Sequence, residues 1–315
     1  MGRRGYGREP TAGVFGGDLR EPRDDALRLV FADWLDESGQ RERAEFVRRQ
    51  VEAARLPEGE ARVALEDRAR HLLGEHGPDW LTGTGLPPSV VQFHRWFPDE
   101  LDFSAEDWEE EPEDGWDAVP EEGLLATLLT ALRGWSELGC VRRLVLCSEE
   151  GMGAEVVGAL VDAPEYRRVT QLVFVHQMLG PRSIERLAAS KVLTRLRVLS
   201  IPVSSNNDTD HVRDAGCAAI AGSPNFARLE VLELSRTEIG DVGAAALAGS
   251  PHLANLRRLD LSFNKVGDVG ASALAASPHL RALEKLTFQG NRASAAALRV
   301  LEARYGDLSI PDEDE

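Results

Sequence analysis

The sequence predicts an α/β solenoid of stacked strand–helix repeats that follows a small helical domain. Three observations predict this fold class. A pattern of leucine-type residues recurs at a spacing of 27 residues, glycine and leucine positions recur downstream of each copy, and amphipathic segments occupy the beginning of the chain. Because one such repeat cannot bury its own apolar face, neighbouring repeats must stack into a common core.

The strand pattern is clearest in the last three copies and weaker in three earlier ones. The clear copies are Leu229, Leu232 and Leu234; Leu256, Leu259 and Leu261; and Leu283, Leu286 and Phe288. Alternate residues of a strand point to opposite faces, so each copy predicts a strand that buries one face. We expect six parallel strands, centred near Leu144, Leu172, Leu199, Leu232, Leu259 and Leu286.

A second pattern follows each strand about ten residues later. Gly-Ala-x-x-Leu has helical spacing and predicts a short helix on the side opposite the strand, near Leu187, Ile220, Leu247 and Leu274. Between strand and helix, Asn264 and Asn291 occupy a turn position where an amide can bond the backbone of the adjacent repeat. Since a helix is wider than a strand, the stack is expected to curve into a horseshoe.

These residues resemble the leucine-rich-repeat family, and their 27–28-residue strand–helix form resembles its ribonuclease-inhibitor-like subclass. The resemblance covers Val141–Glu302. It implies a concave parallel sheet that is used for protein binding, without implying a particular ligand. We therefore assign residues 141–305 to six leucine-rich repeats and residues 306–315 to an acidic tail.

Three helical segments are predicted in residues 23–82, after a disordered N-terminus at 1–22. They cover Asp24–Leu35, Arg41–Leu56 and Glu60–Glu75, and the last is expected to stop at Gly77–Pro78. Helical spacing predicts which apolar residues face inward. These are Leu27, Val30, Phe31, Trp34 and Leu35 in the first segment and Phe46, Val47 and Val51 in the second.

Arg28–Glu37 and Arg43–Gln50 resemble the short repeat-companion domain of planctomycete and myxobacterial paralogous families, which usually accompanies leucine-rich repeats. Phe93–Phe97 resembles the junction that those proteins carry before their first repeat, although Trp96 replaces the usual glycine. The resemblance implies no biochemical activity. It suggests that residues 23–82 cap the solenoid, whose end repeats need their apolar face covered.

A junction at residues 83–140 contains a strongly acidic insertion. Residues 99–122 hold thirteen acidic residues and no basic one, a density that predicts a loop or a disordered segment. Trp108 and Trp116 within it have two explanations. They form an amphipathic recognition segment for a basic, apolar partner, or they simply cover the side of the first repeats.

Composition excludes several classes of partner. The net charge of -17 argues against nucleic acid, because phosphates need clustered lysine and arginine. The apolar runs are too short to span a membrane. Three cysteines without metal or disulfide spacing indicate reduced thiols and a cytoplasmic protein, and the preference for arginine over lysine suggests a bacterial source.

Catalytic and metal-binding signals are weak. His211 with the carboxylates of Asp208, Asp210 and Asp214 is the best metal candidate, but the loop lacks the glycine and the terminal glutamate of a calcium site. A solvated insertion explains this loop better. No phosphate loop, nucleophile elbow or zinc-protease motif occurs, so neither an enzyme nor a cofactor is predicted.

The strand register predicts which side chains face outward on the concave wall. They are Val145, Val173, Ser200, Glu233, Asp260 and Thr287, with Val175, His176, Arg236 and Phe263 just beyond. Aliphatic, aromatic and arginine anchors within a polar rim suit a protein interface, although the same positions could be merely solvated. The acidic members suggest a partner with a basic and apolar surface.

We therefore predict a non-enzymatic protein–protein interaction module that binds its partner on the concave face. Two alternatives stay open. One is a regulator of a partner enzyme, of the inhibitor or GTPase-activating type. The other is a structural paralog without a selective partner.

Overall fold

The computed structural model describes residues 25–81, 91–94, 97–102, 141–147, 153–175, 179–202 and 211–309. The chain divides into two compact units, Met1–Pro98 and Asp99–Glu315. Each unit is described by itself.

Three helices make up most of the described part of the first unit. They are α1 (Asp25–Glu37), α2 (Arg41–Arg55) and α3 (Glu60–Trp80), followed by a short strand, β1 (Val91–His94). Phe46, Val47 and Val51 are buried as predicted. Val30 is half exposed, which corrects its predicted inward orientation, because the buried face of α1 runs through Phe31, Ala32 and Leu35 instead.

Helix α3 also runs past the predicted stop at Gly77–Pro78 and ends at Trp80. Proline lacks the amide hydrogen of the regular ladder, yet the helical pattern continues because the Leu81 amide donates to the Gly77 carbonyl at 3.2 Å. The extra turn places the Trp80 ring 5.2 Å from that of Phe46 and buries Leu81. Burial of these large side chains outweighs the breaker signal.

The second unit alternates parallel strands with helices. The strands are β2 (Phe97–Asp102, which begins just before the unit does), β3 (Arg143–Cys147), β4 (Gln171–Val175), β5 (Val198–Ser200), β6 (Val231–Glu233), β7 (Arg258–Asp260) and β8 (Lys285–Thr287). The helices are α4 (Gly153–Val161), α5 (Pro181–Ala189), α6 (Arg213–Gly222), α7 (Asp241–Ala248), α8 (Asp268–Ala275) and α9 (Ala295–Tyr305).

From β2 to β8 the strands follow one another in chain order, and each pairs with the next in parallel. One leucine from each strand lies in register and is at most 1% exposed: Leu101, Leu144, Leu172, Leu199, Leu232, Leu259 and Leu286. The predicted α/β fold with parallel strands is therefore confirmed, and the six predicted strand centres are confirmed with it.

Strand β2 corrects the prediction for the acidic insertion. The loop was expected to begin at Asp99, but Glu100–Asp102 pair in parallel with Arg143–Val145. Leu101 supplies the reason, because its fully buried side chain extends the leucine row by one strand. The remainder of the insertion, with Trp108 and Trp116, lies outside the described residues.

Polar side chains join consecutive repeats at the turns. The Asn264 amide oxygen accepts from the Thr237 and Ile239 amides at 3.1 and 3.0 Å, and its nitrogen donates to the Leu234 and Leu261 carbonyls. Asn291 bonds the backbone one repeat further on in the same way. These contacts confirm the predicted asparagine bonding between repeats.

A second set of contacts lies at the helix starts. The Asp214 carboxylate of α6 accepts from the Gly240 and Gly243 amides at the start of α7, at 2.7 and 3.0 Å. Asp241 repeats the arrangement toward α8. A Cβ atom on Gly243 would lie 2.6 Å from the Asp214 carboxylate, so the absence of a side chain at Gly243 allows this close approach.

Candidate functional site

The outward face of the sheet is only partly exposed. On β4 the burial alternates, with Val173 and Val175 half-buried between fully buried neighbours. Val145, Ser200 and Thr287 are 4%, 3% and 6% exposed, which corrects the prediction that they offer free surface. Their side chains are short, and neighbours on the adjacent strands, about 4.8 Å away, shield them from solvent.

The two acidic positions of this face lie side by side. Glu233 on β6 is in register with Asp260 on β7, and both are half-buried. The Glu233 carboxylate accepts from the Ser200 hydroxyl, and the Asp260 carboxylate accepts from the Ser262 amide at 2.7 Å. Each carboxylate is therefore held in place and keeps oxygen lone pairs for a further donor.

A stack of three residues stands just beyond the strand ends. Arg236, Phe263 and Gly290 occupy the same position in successive repeats, and all have a positive φ, of 59°, 54° and 72°. The Arg236 guanidinium lies 4.2 Å from the centre of the Phe263 ring. A Cβ atom on Gly290 would be 2.5 Å from that ring, so the ring lies across the bare glycine backbone.

This stack has the composition of a binding anchor. The Phe263 ring is 40% exposed although it is large and apolar, and Arg236 is half-buried against it. Non-glycine residues rarely adopt a positive φ, and the cost is of order 1–3 kcal/mol for each residue. Two neighbouring repeats carry this cost at the same position, and both put a large side chain at the surface there.

Two predicted members of the face need separate mention. His176 lies outside the described residues. Val173 and Val175 lie on β4, two strand spacings from Glu233 on β6, or about 10 Å. That separation is small enough for one partner to cover the valines and the acidic pair together.

The structure describes only two of the four residues of the metal-site candidate, His211 and Asp214. Asp208 and Asp210 lie outside the described residues, and the Asp214 carboxylate already accepts two backbone amides of the next repeat. His211 is buried, with its Nδ1 atom unbonded. In the part of the chain that the structure describes, no cluster of three or more metal-ligating side chains occurs.

The sequence analysis did not identify a cluster of arginines at the opposite, N-terminal ends of the strands. Six of them line a groove at the N-terminal ends of the strands: Arg142, Arg143, Arg195, Arg197, Arg228 and Arg257. The signal was present in the alignment of the repeats, because Arg197, Glu230 and Arg257 occupy the same position and each immediately precedes a strand. The alternation of buried and exposed positions within a strand carries no information about the residues that precede it.

Comparison with known proteins gives one family. A family model for the leucine-rich repeat matches residues 229–248 and 252–275, which hold β6, α7, β7 and α8. No curated protein matches the chain. Within the described residues, no helix is both long and apolar enough to cross a membrane.

Proposed function

We propose that this leucine-rich-repeat protein binds a protein partner on the outward face of its sheet, at a surface centred on Arg236 and Phe263. Leucine-rich repeats generally mediate protein–protein interaction and typically serve as non-enzymatic modules. The observation that carries the proposal is the exposed Arg236–Phe263 stack, held at positive φ in two successive repeats.

The backbone at Arg236 and Phe263 joins consecutive repeats, because their amides donate to the Ser262 and Gln289 carbonyls at 3.1 and 2.7 Å, but these bonds require neither an arginine nor a phenylalanine side chain. Asparagine or glycine would adopt the same backbone at lower cost, as Gly290 does in the next repeat. Arginine and aromatic residues dominate the energy of protein interfaces, and they do so when they are desolvated by a partner. The Phe263 ring is already fixed between Arg236 and Gly290, so docking would cost it little side-chain entropy.

The side chains near the stack support a partner with both basic and apolar groups. Glu233 and Asp260 present held carboxylates, and Val173 and Val175 offer apolar surface on β4. A partner with an apolar knob flanked by lysine or arginine satisfies both groups. His176 remains a predicted member of this surface, whereas Val145, Ser200 and Thr287 are buried and offer a partner little surface.

The experiment compares capture of proteins from the native host by three forms of the full chain. R236A/F263A removes the stack, and each anchor is expected to contribute about 2 kcal/mol, so capture of the specific partner should fall by more than a hundredfold. V242A/V269A is the matched control, because these valines are 69% exposed, lie 27 residues apart and belong to α7 and α8. Equal capture by R236A/F263A and the wild type would overturn the proposal.

A charge reversal tests the sign of the partner. E233R/D260R should abolish capture if the partner is basic, while E185R/E302R makes the same change of net charge on exposed helix positions and should not. Loss with both variants would show that net charge alone drives the association. No loss with E233R/D260R would remove the acidic pair from the interface.

The finer assignments remain part of the proposal. We expect the repeats to follow the ribonuclease-inhibitor-like subclass and to curve into a horseshoe, with this surface on its concave side. Residues 23–82 are proposed as a repeat-companion domain that caps the solenoid, and the protein is proposed to be cytoplasmic and bacterial.

A further inference from the structure

We infer that the N-terminal ends of the strands carry a second binding surface. This surface, the arginine groove, binds an extended, carboxylate-rich segment of a protein partner. The groove has a volume of about 780 Å³ and is lined by Arg142, Arg143, Arg195, Arg197, Arg228 and Arg257 among others. It shares no residue with the surface centred on Arg236 and Phe263, so neither assignment depends on the other.

The register of the repeats brings these arginines together. Arg197, Glu230 and Arg257 stand one residue before their strands and are joined through the backbone, because the Glu230 amide donates to the Arg197 carbonyl and the Arg257 amide to the Glu230 carbonyl, both at 2.8 Å. Two residues earlier in each repeat, Arg195 and Arg228 form a second row. The groove is therefore built on the hydrogen-bonded sheet and not on a loose surface.

The charges in the groove are not balanced. Its lining holds six arginines but only two carboxylates, Glu100 and Glu230, in a chain whose net charge is -17. Glu100 lies 3.4 Å from Arg143, and Glu230 lies 3.4 Å from Arg197. Arg257 pairs instead with Glu284, at 3.0 Å.

Arg195 and Arg228 are left over from this pairing. They lie in equivalent positions of adjacent repeats, both are exposed, and neither makes a hydrogen bond or ion pair in the part of the chain that the structure describes. Arg195 and Arg228 lie just before β5 and β6 in adjacent repeats, and an anion bound between their guanidinium groups would replace the repulsion of two like charges by two attractions. The pair therefore marks the centre of the site.

The residues that line the arginine groove favour peptide carboxylates over nucleic-acid phosphates as its ligand. The groove contains no aromatic side chain on which a nucleic-acid base could stack, and Glu100 and Glu230 interrupt the positive track that a chain of phosphates would need. The six arginines lie at or just before the starts of strands from β3 to β7, which span about 19 Å at a strand spacing of about 4.8 Å, so the positive charge is not focused at one point. Single carboxylates spaced along an extended peptide match this distribution better than one phosphate dianion does.

The site is exposed and polar, so its binding should be salt-sensitive. The lining supplies little apolar area, and the ion pairs form in contact with water. Association through this groove would therefore be fast, moderately weak and dependent on ionic strength. Such a surface would orient a partner that another surface holds.

The experiment measures fluorescence anisotropy of a labelled octa-glutamate peptide, which spans about 26 Å when extended, with the full chain at 50 mM salt. An octa-glutamine peptide and a labelled oligo-thymidine strand are the comparison probes. We expect the glutamate peptide to bind at least tenfold more tightly than either. Stronger binding of oligo-thymidine, or no preference for glutamate over glutamine, would overturn the inference.

Two double variants locate the binding. R195A/R228A should weaken glutamate-peptide binding at least tenfold, whereas R182A/R299A removes two exposed arginines elsewhere and should leave it nearly unchanged. Equal losses would show attraction to net charge without a site. R236A/F263A should also bind the peptide normally, so failure of the groove and failure of the proposed function can be told apart. Thermal melts of each variant verify that the fold is retained.

Discussion

Replacing Asn264 by alanine is expected to destabilise the repeats far more than the loss of one exposed polar side chain. The side chain is 5% exposed, and its amide satisfies two backbone donors, of Thr237 and Ile239, and two backbone acceptors, of Leu234 and Leu261. All four lie at the junction of two repeats. Alanine offers none of these bonds. The Thr237 and Ile239 amides then lose their acceptor, whereas the Leu234 and Leu261 carbonyls keep donors in the Thr237 hydroxyl and the Asn291 amide.

The magnitude follows from the cost of an unsatisfied buried group, about 1–3 kcal/mol each. Two unsatisfied amides would cost about 2–6 kcal/mol together, but water can enter the space left by the side chain near the surface and recover part of the loss. We therefore expect the free energy of unfolding to fall by about 2–4 kcal/mol. Asn291→Ala, which loses similar bonds at a partly exposed position, should cost less.

Urea unfolding followed by circular dichroism measures this change. Asn255→Ala is the control, because Asn255 is exposed and donates a single bond to the Ala227 carbonyl. Its expected cost is within about 1 kcal/mol. Equal midpoints for Asn264→Ala and Asn255→Ala would refute the view that the asparagine amides hold adjacent repeats together.

Two further predictions concern the buried residues Leu259 and Cys217. Leu259→Ala truncates a side chain that is 1% exposed and should cost about 2–5 kcal/mol in the same unfolding assay. Val269→Ala, at a helix position 69% exposed, should cost within about 0.5 kcal/mol, and equal costs would mean that Leu259 is not part of the core. Burial, with the nearby charge of Asp214, raises the pKa of the Cys217 thiol well above its usual range, so little reactive thiolate forms. Peptide mass spectrometry should therefore show slow iodoacetamide labelling of Cys217 in the folded chain at pH 8 and fast labelling in urea, and equal rates would contradict its burial.

The period of 27 residues was enough to predict most of the repeat fold. Leucine at the same point of every copy fixes the strand, its buried face and its parallel register, as the row from Leu144 to Leu286 shows. Strand β2 was missed because Leu101 is its sole leucine and three carboxylates surround it. A strand added to an existing sheet needs little pattern of its own, since its neighbour supplies the pairing.

The candidate site was predictable only in part. The sequence predicted correctly that Glu233 and Asp260 lie in strands and that Arg236 and Phe263 follow them. The positive φ values and the stacking of Arg236 on Phe263 depend on turn geometry, which the repeat pattern does not report. The burial of Val145, Ser200 and Thr287 depends on side chains of the neighbouring strands, which alternation within one strand cannot reveal. Side-chain exposure is set by neighbours in space, whereas the pattern reports only neighbours in sequence.

The contacts between repeats also have a direction along the chain. Asp214 and Asp241 each cap the helix of the following repeat, whereas Asn264 and Ser250 each bond the backbone of the preceding one. Losing a repeat from the N-terminal side therefore uncaps a helix, while losing one from the C-terminal side strips a turn and leaves the helix start intact. Fraying at the two ends should be chemically different: amide hydrogens exchange first at helix starts at one end and at strand-following turns at the other. The two ends of the repeat array therefore lose structure by breaking different contacts.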